Sequence, residues 1–171
     1  MSKRKLIDRL RWYYPLERTH AFLTFPGMLV YVILNNSLSS VLFLAYGLLV
    51  CIFILIQGQH YWKLKLYRLT DKPFDQEYHI RLFKKAKAIN RILILIIPIS
   101  FGFQLYLDNW TYRPDMLFLG ALAANLFAVL EHINYYHIQL MIDNYADLSY
   151  LIKNQRFKIA SLAKDLQDGE I

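Results

Sequence analysis

A single cysteine, Cys51, stands in this chain of 171 residues, so neither an internal disulfide nor a cysteine-rich metal site is open to it. Cys51 lies inside an apolar run, where a lone thiol serves as a small core hydrophobe. No glycine-rich phosphate loop, no HExxH pair and no nucleophile elbow occurs, which leaves P-loop, zinc-protease and serine-hydrolase chemistry without its residues. There is no Met-Gly start or terminal cysteine for lipidation, no internal repeat and no low-complexity tract. Charge is scarce too: Asp, Glu, Lys and Arg make up 19% of the chain, below the roughly 25% of soluble domains.

What is present is apolar. The hydrophobic fraction is 56%, above the ~45–50% usual in soluble proteins, and a chain of this length has room for one domain. One such domain has too little interior for so many Leu, Ile, Phe and Tyr residues, which makes lipid the expected solvent. The net charge of +7 would suggest nucleic acid on a soluble protein. Here the basic residues flank apolar blocks, so the expected partner is a bilayer with anionic headgroups, and no nucleic acid is expected.

Four apolar blocks stand out: His20 to Leu34 with Pro26-Gly27 inside it, Val41 to Ile56 without a charge, Ile92 to Leu107 with Pro98, and Met116 to Leu130. With their aromatic flanks they approach the ~20 residues needed to cross ~30 Å of hydrocarbon. In lipid the backbone must satisfy its own hydrogen bonds, and period-two alternation is absent, so the blocks are expected to be helices. The first follows a basic start but no small-x-small cleavage site, and reads as a retained span rather than a signal peptide. The expected fold is an all-α membrane protein, a four-transmembrane-helix bundle with spans at about 20–36, 40–62, 89–107 and 115–136. A helical hairpin at about 63–88 and an amphipathic tail at about 142–171 complete it.

The basic residues set an orientation. The segment to Arg18 holds 6 Lys and Arg, "NNSLSS" none, Lys63 to Arg91 9, "DNWTYRPD" 1 and the tail after Leu140 4, together the whole complement of 20. The positive-inside rule therefore places both termini and the middle segment in the cytoplasm. Trp12, Tyr13, Tyr14 and Trp62 mark one headgroup level, and Trp110 and Tyr112 the other.

Polar residues inside the blocks fall into stripes. His20, Thr24, Gly27, Tyr31 and Asn35 share a face, as do Asn90, Leu93, Ile97, Ser100 and Gln104. In the fourth block Ala121, Asn125, Ala128, His132, Gln139 and Asp143 do the same, with Ala124, Glu131 and Tyr135 alongside. Small and polar residues on one stripe are expected to form helix–helix seams. The candidate polar cluster is His20, His60, Glu131 and His132, which three helices bring to one depth near the cytoplasmic boundary. The plain reading has these side chains reaching interfacial water, with Glu131 paired to Lys or Arg and His132 bonded to neighbouring spans. The sharper reading is a haem, metal or quinone site, since neutral imidazole ligates metals. "EHINYYH" lacks the Glu-x-x-His spacing of di-iron bundles, and no cofactor is expected.

At "QGQHYWKLKLYRL", Gln57 to Leu69, and "LEHINYYHIQLMIDN", Leu130 to Asn144, the chain resembles small, uncharacterised multi-pass membrane proteins of bacteria. That resemblance implies a bacterial inner (plasma) membrane, or a thylakoid membrane given a cyanobacterial source, and implies no activity. The function expected is a non-enzymatic scaffold, assembly or partner-binding protein, acting with a protein partner or as a homo-oligomer. A channel or transporter component, its spans bent at Pro26-Gly27 and Pro98, is the alternative from another class.

Overall fold

Long uncharged runs of good helix formers become long helices here. The computed structural model describes residues 3–111, 115–142 and 144–171; Tyr112, Arg113 of "DNWTYRPD" and Asp143 lie outside the described residues. Helix α1 runs Lys3–Thr19 and passes through a widened turn, His20–Thr24, into α2, Phe25–Asn35. Then follow α3, Leu38–Leu69, α4, Gln76–Leu107, α5, Met116–Tyr136, α6, Tyr145–Asn154, and α7, Ser161–Asp168. Among the described residues there is no β-strand, only one isolated antiparallel bridge between Ile138 and Ile159.

Three helices, α3, α4 and α5, are long and apolar enough to cross a membrane. At ~1.5 Å per residue, the 32 residues of α3 and of α4 extend about 48 Å, well past a ~30 Å hydrocarbon layer. Their turn is short. Asp71 adopts φ 55, a left-handed conformation that Asp tolerates, and Asp75 then caps α4 by accepting from the Tyr78 N–H at 2.9 Å.

The first block is not a fourth uniform helix. The Phe25 N–H donates to the His20 carbonyl, five residues back, which widens this turn. Pro26 follows directly, and its ring excludes the carbonyl four residues behind it, Phe22, from a regular turn. The basic N-terminal segment, for which the sequence pattern gives no element, is helical and packs along α3.

Helix α3 is the hub, with α1, α2, α4 and α5 against it. One core cluster gathers Val50, Cys51, Ile54, Tyr61, Leu64, Phe83, Ala128, Tyr135 and Tyr136, and reaches Leu162 and Ile171 in the tail. A second gathers Phe43, Leu44, Leu48, Ala121 and Ala124. Within α4 and α5 the stripes do face this core, with Asn90, Ser100, Gln104, Ala121, Asn125, Ala128 and His132 buried; Gln139, expected on the same stripe, lies past the end of α5.

The stripe in the first block does the reverse, which corrects the expectation of a seam there. Thr24, Gly27, Tyr31 and Asn35 are exposed, and a Cβ on Gly27 would meet nothing within 4 Å. Buried Ala21 and half-buried Phe25, Leu29 and Val32 take the inward side instead. Glu17, Ala21, Phe25 and Leu29 succeed one another at steps of four, longer than the 3.6 of a regular helix, as a widened turn requires.

The tail divides its expected amphipathic helices unequally. Helix α7 docks, with Leu162, Ala163 and Asp165 buried, while α6 leaves Leu148 and Ile152 exposed. Asp165 fixes the docking. It accepts from the Tyr61 hydroxyl at 2.7 Å and from Lys65 Nζ at 2.5 Å.

Candidate functional site

Where α3, α4 and α5 run past one another, their polar residues lock. Gln57 and Asn90 exchange two amide hydrogen bonds of 2.9 Å, and the Tyr136 hydroxyl donates to Gln57 Oε1 at 2.7 Å. Lys87 Nζ donates to the Tyr136 carbonyl at 3.1 Å. Interhelical bonds of this kind contribute ~0.6 kcal/mol each in lipid, so their larger effect is to fix register.

The four candidate residues go to different places around this lock. The His20 Nδ1 meets Thr24 Oγ1 at 3.3 Å on its own helix. His60 takes its partner from α4, with His60 Nε2 and His79 Nδ1 3.1 Å apart, beside Phe83 and Phe74. His132 is buried, yet neither of its ring nitrogens has a hydrogen-bond partner among the described residues; its ring lies against Tyr136 and edge-on to His137. Hydrogen bonding of His132 to spans one and two is therefore corrected, because its ring turns along α5 towards those two side chains. Glu131 makes no ion pair with Lys or Arg among the described residues; it lies near Glu17 and beside Asn134. Among the described residues, no group of three or more His, Cys, Asp or Glu side chains is placed to hold a metal ion.

The residue that reaches from α5 to the first helix is Tyr135. Its hydroxyl donates to Glu17 Oε1 at 2.9 Å. Burial pushes the Glu17 carboxyl above the usual carboxylate range, and the Tyr135 hydrogen bond opposes that shift only in part. Around this pair lies a cavity of about 130 Å³, walled by α1, α3, α5 and the returning tail. Tyr13 and Trp62 line it and meet edge to face at 6.2 Å between centroids. Among the described residues, two buried polar atoms at this site have no hydrogen-bond partner, Glu17 Oε2 and Trp62 Nε1.

On the other side, burial together with Lys87 and Arg91 holds the His137 imidazole below its ordinary pKa. The backbone carbonyl of His137 accepts from the Ala160 N–H at 3.2 Å, and the Gln139 N–H donates to Lys158 at 2.8 Å. These two bonds return the tail to the bundle.

Glu17 and His79 were missed by sequence patterning. A signal for Glu17 does exist: with Asp8 it is one of two acids in a segment of 6 basic residues, four positions before Ala21. No protein-family model, no curated protein and no solved structure matches this chain.

Proposed function

We propose that this chain is a membrane-embedded, non-enzymatic scaffold that binds a protein partner through α6. Its architecture in this reading is a four-span bundle. The segment from about 20 to 36 is the fourth crossing, made of the widened turn and α2, and its outward Leu23, Val30, Tyr31 and Leu34 suit lipid. Both termini, α1 and the hairpin of residues 63–88 lie on the cytoplasmic side, where the basic residues concentrate.

The observation that carries the partner-binding role is the presentation of α6. Asn144 caps this helix by accepting from the Asp147 N–H at 2.9 Å, and Gln155 ends it in the left-handed region at φ 49. Both flanks are held, by the pairing of residues 137–139 with 158–160 and by Lys158 to Asp147 at 2.6 Å. The arm is thus built rather than trailing. It leaves Tyr145 84%, Leu148 43% and Ile152 70% exposed. These residues, at steps of three and four, share one helical face. Covering large apolar side chains of this kind gains ~1.5–3 kcal/mol each.

A photo-crosslinking residue at Ile152 in native membranes tests the role, with Arg81 as an exposed control. The expected result is an adduct of protein mass at Ile152, absent at Arg81 and lost with Leu148→Glu. Lipid adducts alone at Ile152 would contradict it.

A further inference from the structure

The cavity beside Glu17 is walled by side chains with opposite needs. Its volume, about 130 Å³, admits about four water-sized groups at ~30 Å³ each. Glu17 brings a carboxylate whose Oε1 is already bonded to Tyr135 while its buried Oε2 has no partner. Glu131, on α5, lies near Glu17. Trp62 and Tyr13 bring aromatic faces, and Tyr61 packs on Trp62 at 4.9 Å between centroids. The Trp62 indole N–H sits beside the Tyr135 hydroxyl but makes no aligned hydrogen bond. Buried polar atoms are nearly always satisfied, so each exception calls for an occupant or a reason.

We propose that this cavity binds a primary ammonium group carrying a neighbouring oxygen, the 2-aminoethanol unit. A carboxylate among aromatic faces selects a cation. The unpartnered Glu17 Oε2 is an acceptor, which a primary ammonium satisfies with an N–H and a quaternary ammonium leaves empty. The unpartnered Trp62 N–H is a donor, and an oxygen two carbons from the nitrogen supplies its acceptor. Four non-hydrogen atoms match the space. Arg9 lines the same cavity with its guanidinium over the Tyr13 ring at 5.7 Å, so the ring face left for a ligand cation is that of Trp62. The 2-aminoethanol unit has two sources at a membrane surface, a phospholipid headgroup or the free amine. The proposal concerns a different surface from α6 and stands independently of that role.

The test uses the full chain in detergent, with Trp12→Phe and Trp110→Phe so that Trp62 alone reports by fluorescence. Ethanolamine hydrochloride, tetramethylammonium chloride and sodium acetate are titrated separately. In parallel, protein from bilayer discs with and without phosphatidylethanolamine goes to native mass spectrometry. The expected result is a saturable change with ethanolamine, or selective retention of phosphatidylethanolamine, and neither with the other two salts. Response to the free amine assigns the soluble source, and lipid retention alone assigns the headgroup. Glu17→Gln should weaken binding at least tenfold; if that variant does not fold, Trp62→Phe with the mass-spectrometric readout replaces it. An equal response to tetramethylammonium, an unchanged affinity in the folded variant, or no response to either source overturns the proposal.

Discussion

A methyl group added at Gly58 would fall 2.2 Å from the Tyr135 hydroxyl oxygen and 2.3 Å from ring carbon Cζ. At Gly47 it would fall 2.6 Å from Asn125 Nδ2, which donates to the Phe43 and Ala121 carbonyls at 3.0 and 2.9 Å. At these two glycines α3 packs tightly against side chains of α5, and small residues in a seam let polar ones bond across the gap. Overpacking costs ~1–3 kcal/mol. By contrast, Gly27 and Gly102 have nothing within 4 Å of an added Cβ, and alanine in a helix interior gains ~0.5–1 kcal/mol over glycine. Thermal unfolding in detergent should therefore fall for Gly47→Ala and Gly58→Ala and stay level or rise for Gly27→Ala and Gly102→Ala. Tyr135→Phe should not rescue Gly58→Ala, since the offending Cζ remains. Equal behaviour of all four glycines would contradict the close approach. The Gly58–Tyr135 contact could not be read from sequence, because the partners are far apart in the chain and no spacing pairs one with the other.

At the scale of elements, α6 and α7 differ in what holds them rather than in pattern. Both carry apolar residues at helical spacing, so an amphipathic tail was legible while the docked half was not. The choice rests on Asp165, which meets Tyr61 and Lys65 about a hundred residues earlier. Its side chain is 11% exposed and that of Lys65 21%. Removing one partner of a largely buried pair costs ~3 kcal/mol, so Asp165→Ala should release α7. Tyr61→Phe deletes one neutral hydrogen bond and should cost ~1 kcal/mol. Protease cleavage between α6 and α7, or amide exchange within residues 161–168, reads the difference. An undocked tail in Tyr61→Phe but not in Asp165→Ala would reverse the assignment. The first stripe failed for a related reason. Its pattern matches the inward stripes of α4 and α5, but the widened turn before Pro26 gives the inward side to Ala21, Phe25, Leu29 and Val32.

Across the whole molecule, the apolar blocks made the all-helical, membrane-competent fold legible, because lipid leaves the backbone few alternatives. The candidate cluster was less legible, because depth along a helix says nothing of rotation about it: His60 turns to His79 and His132 to Tyr136. The orientation can be tested with the chain's own chemistry. Cys51 is fully buried and its thiol donates to the Ala124 carbonyl at 3.2 Å, so the native protein should resist a membrane-impermeant maleimide. Single cysteines can then be added to an otherwise silent background. Four crossings with both termini inside put residues 37 and 109 outside, separated by one membrane thickness from residues 72 and 154. The lengths agree, since α3 and α4 each extend about 48 Å and so carry their 70–75 turn well beyond a ~30 Å hydrocarbon layer. On intact cells, Ser37→Cys and Asn109→Cys should label, while Lys72→Cys and Asn154→Cys should label only after permeabilisation. If the first block lay along the surface instead of crossing, the N-terminus and residue 37 would share a side. Labelling at Lys3→Cys and Ser37→Cys under the same conditions would then remove the fourth span and leave α3, α4 and α5 as the crossings.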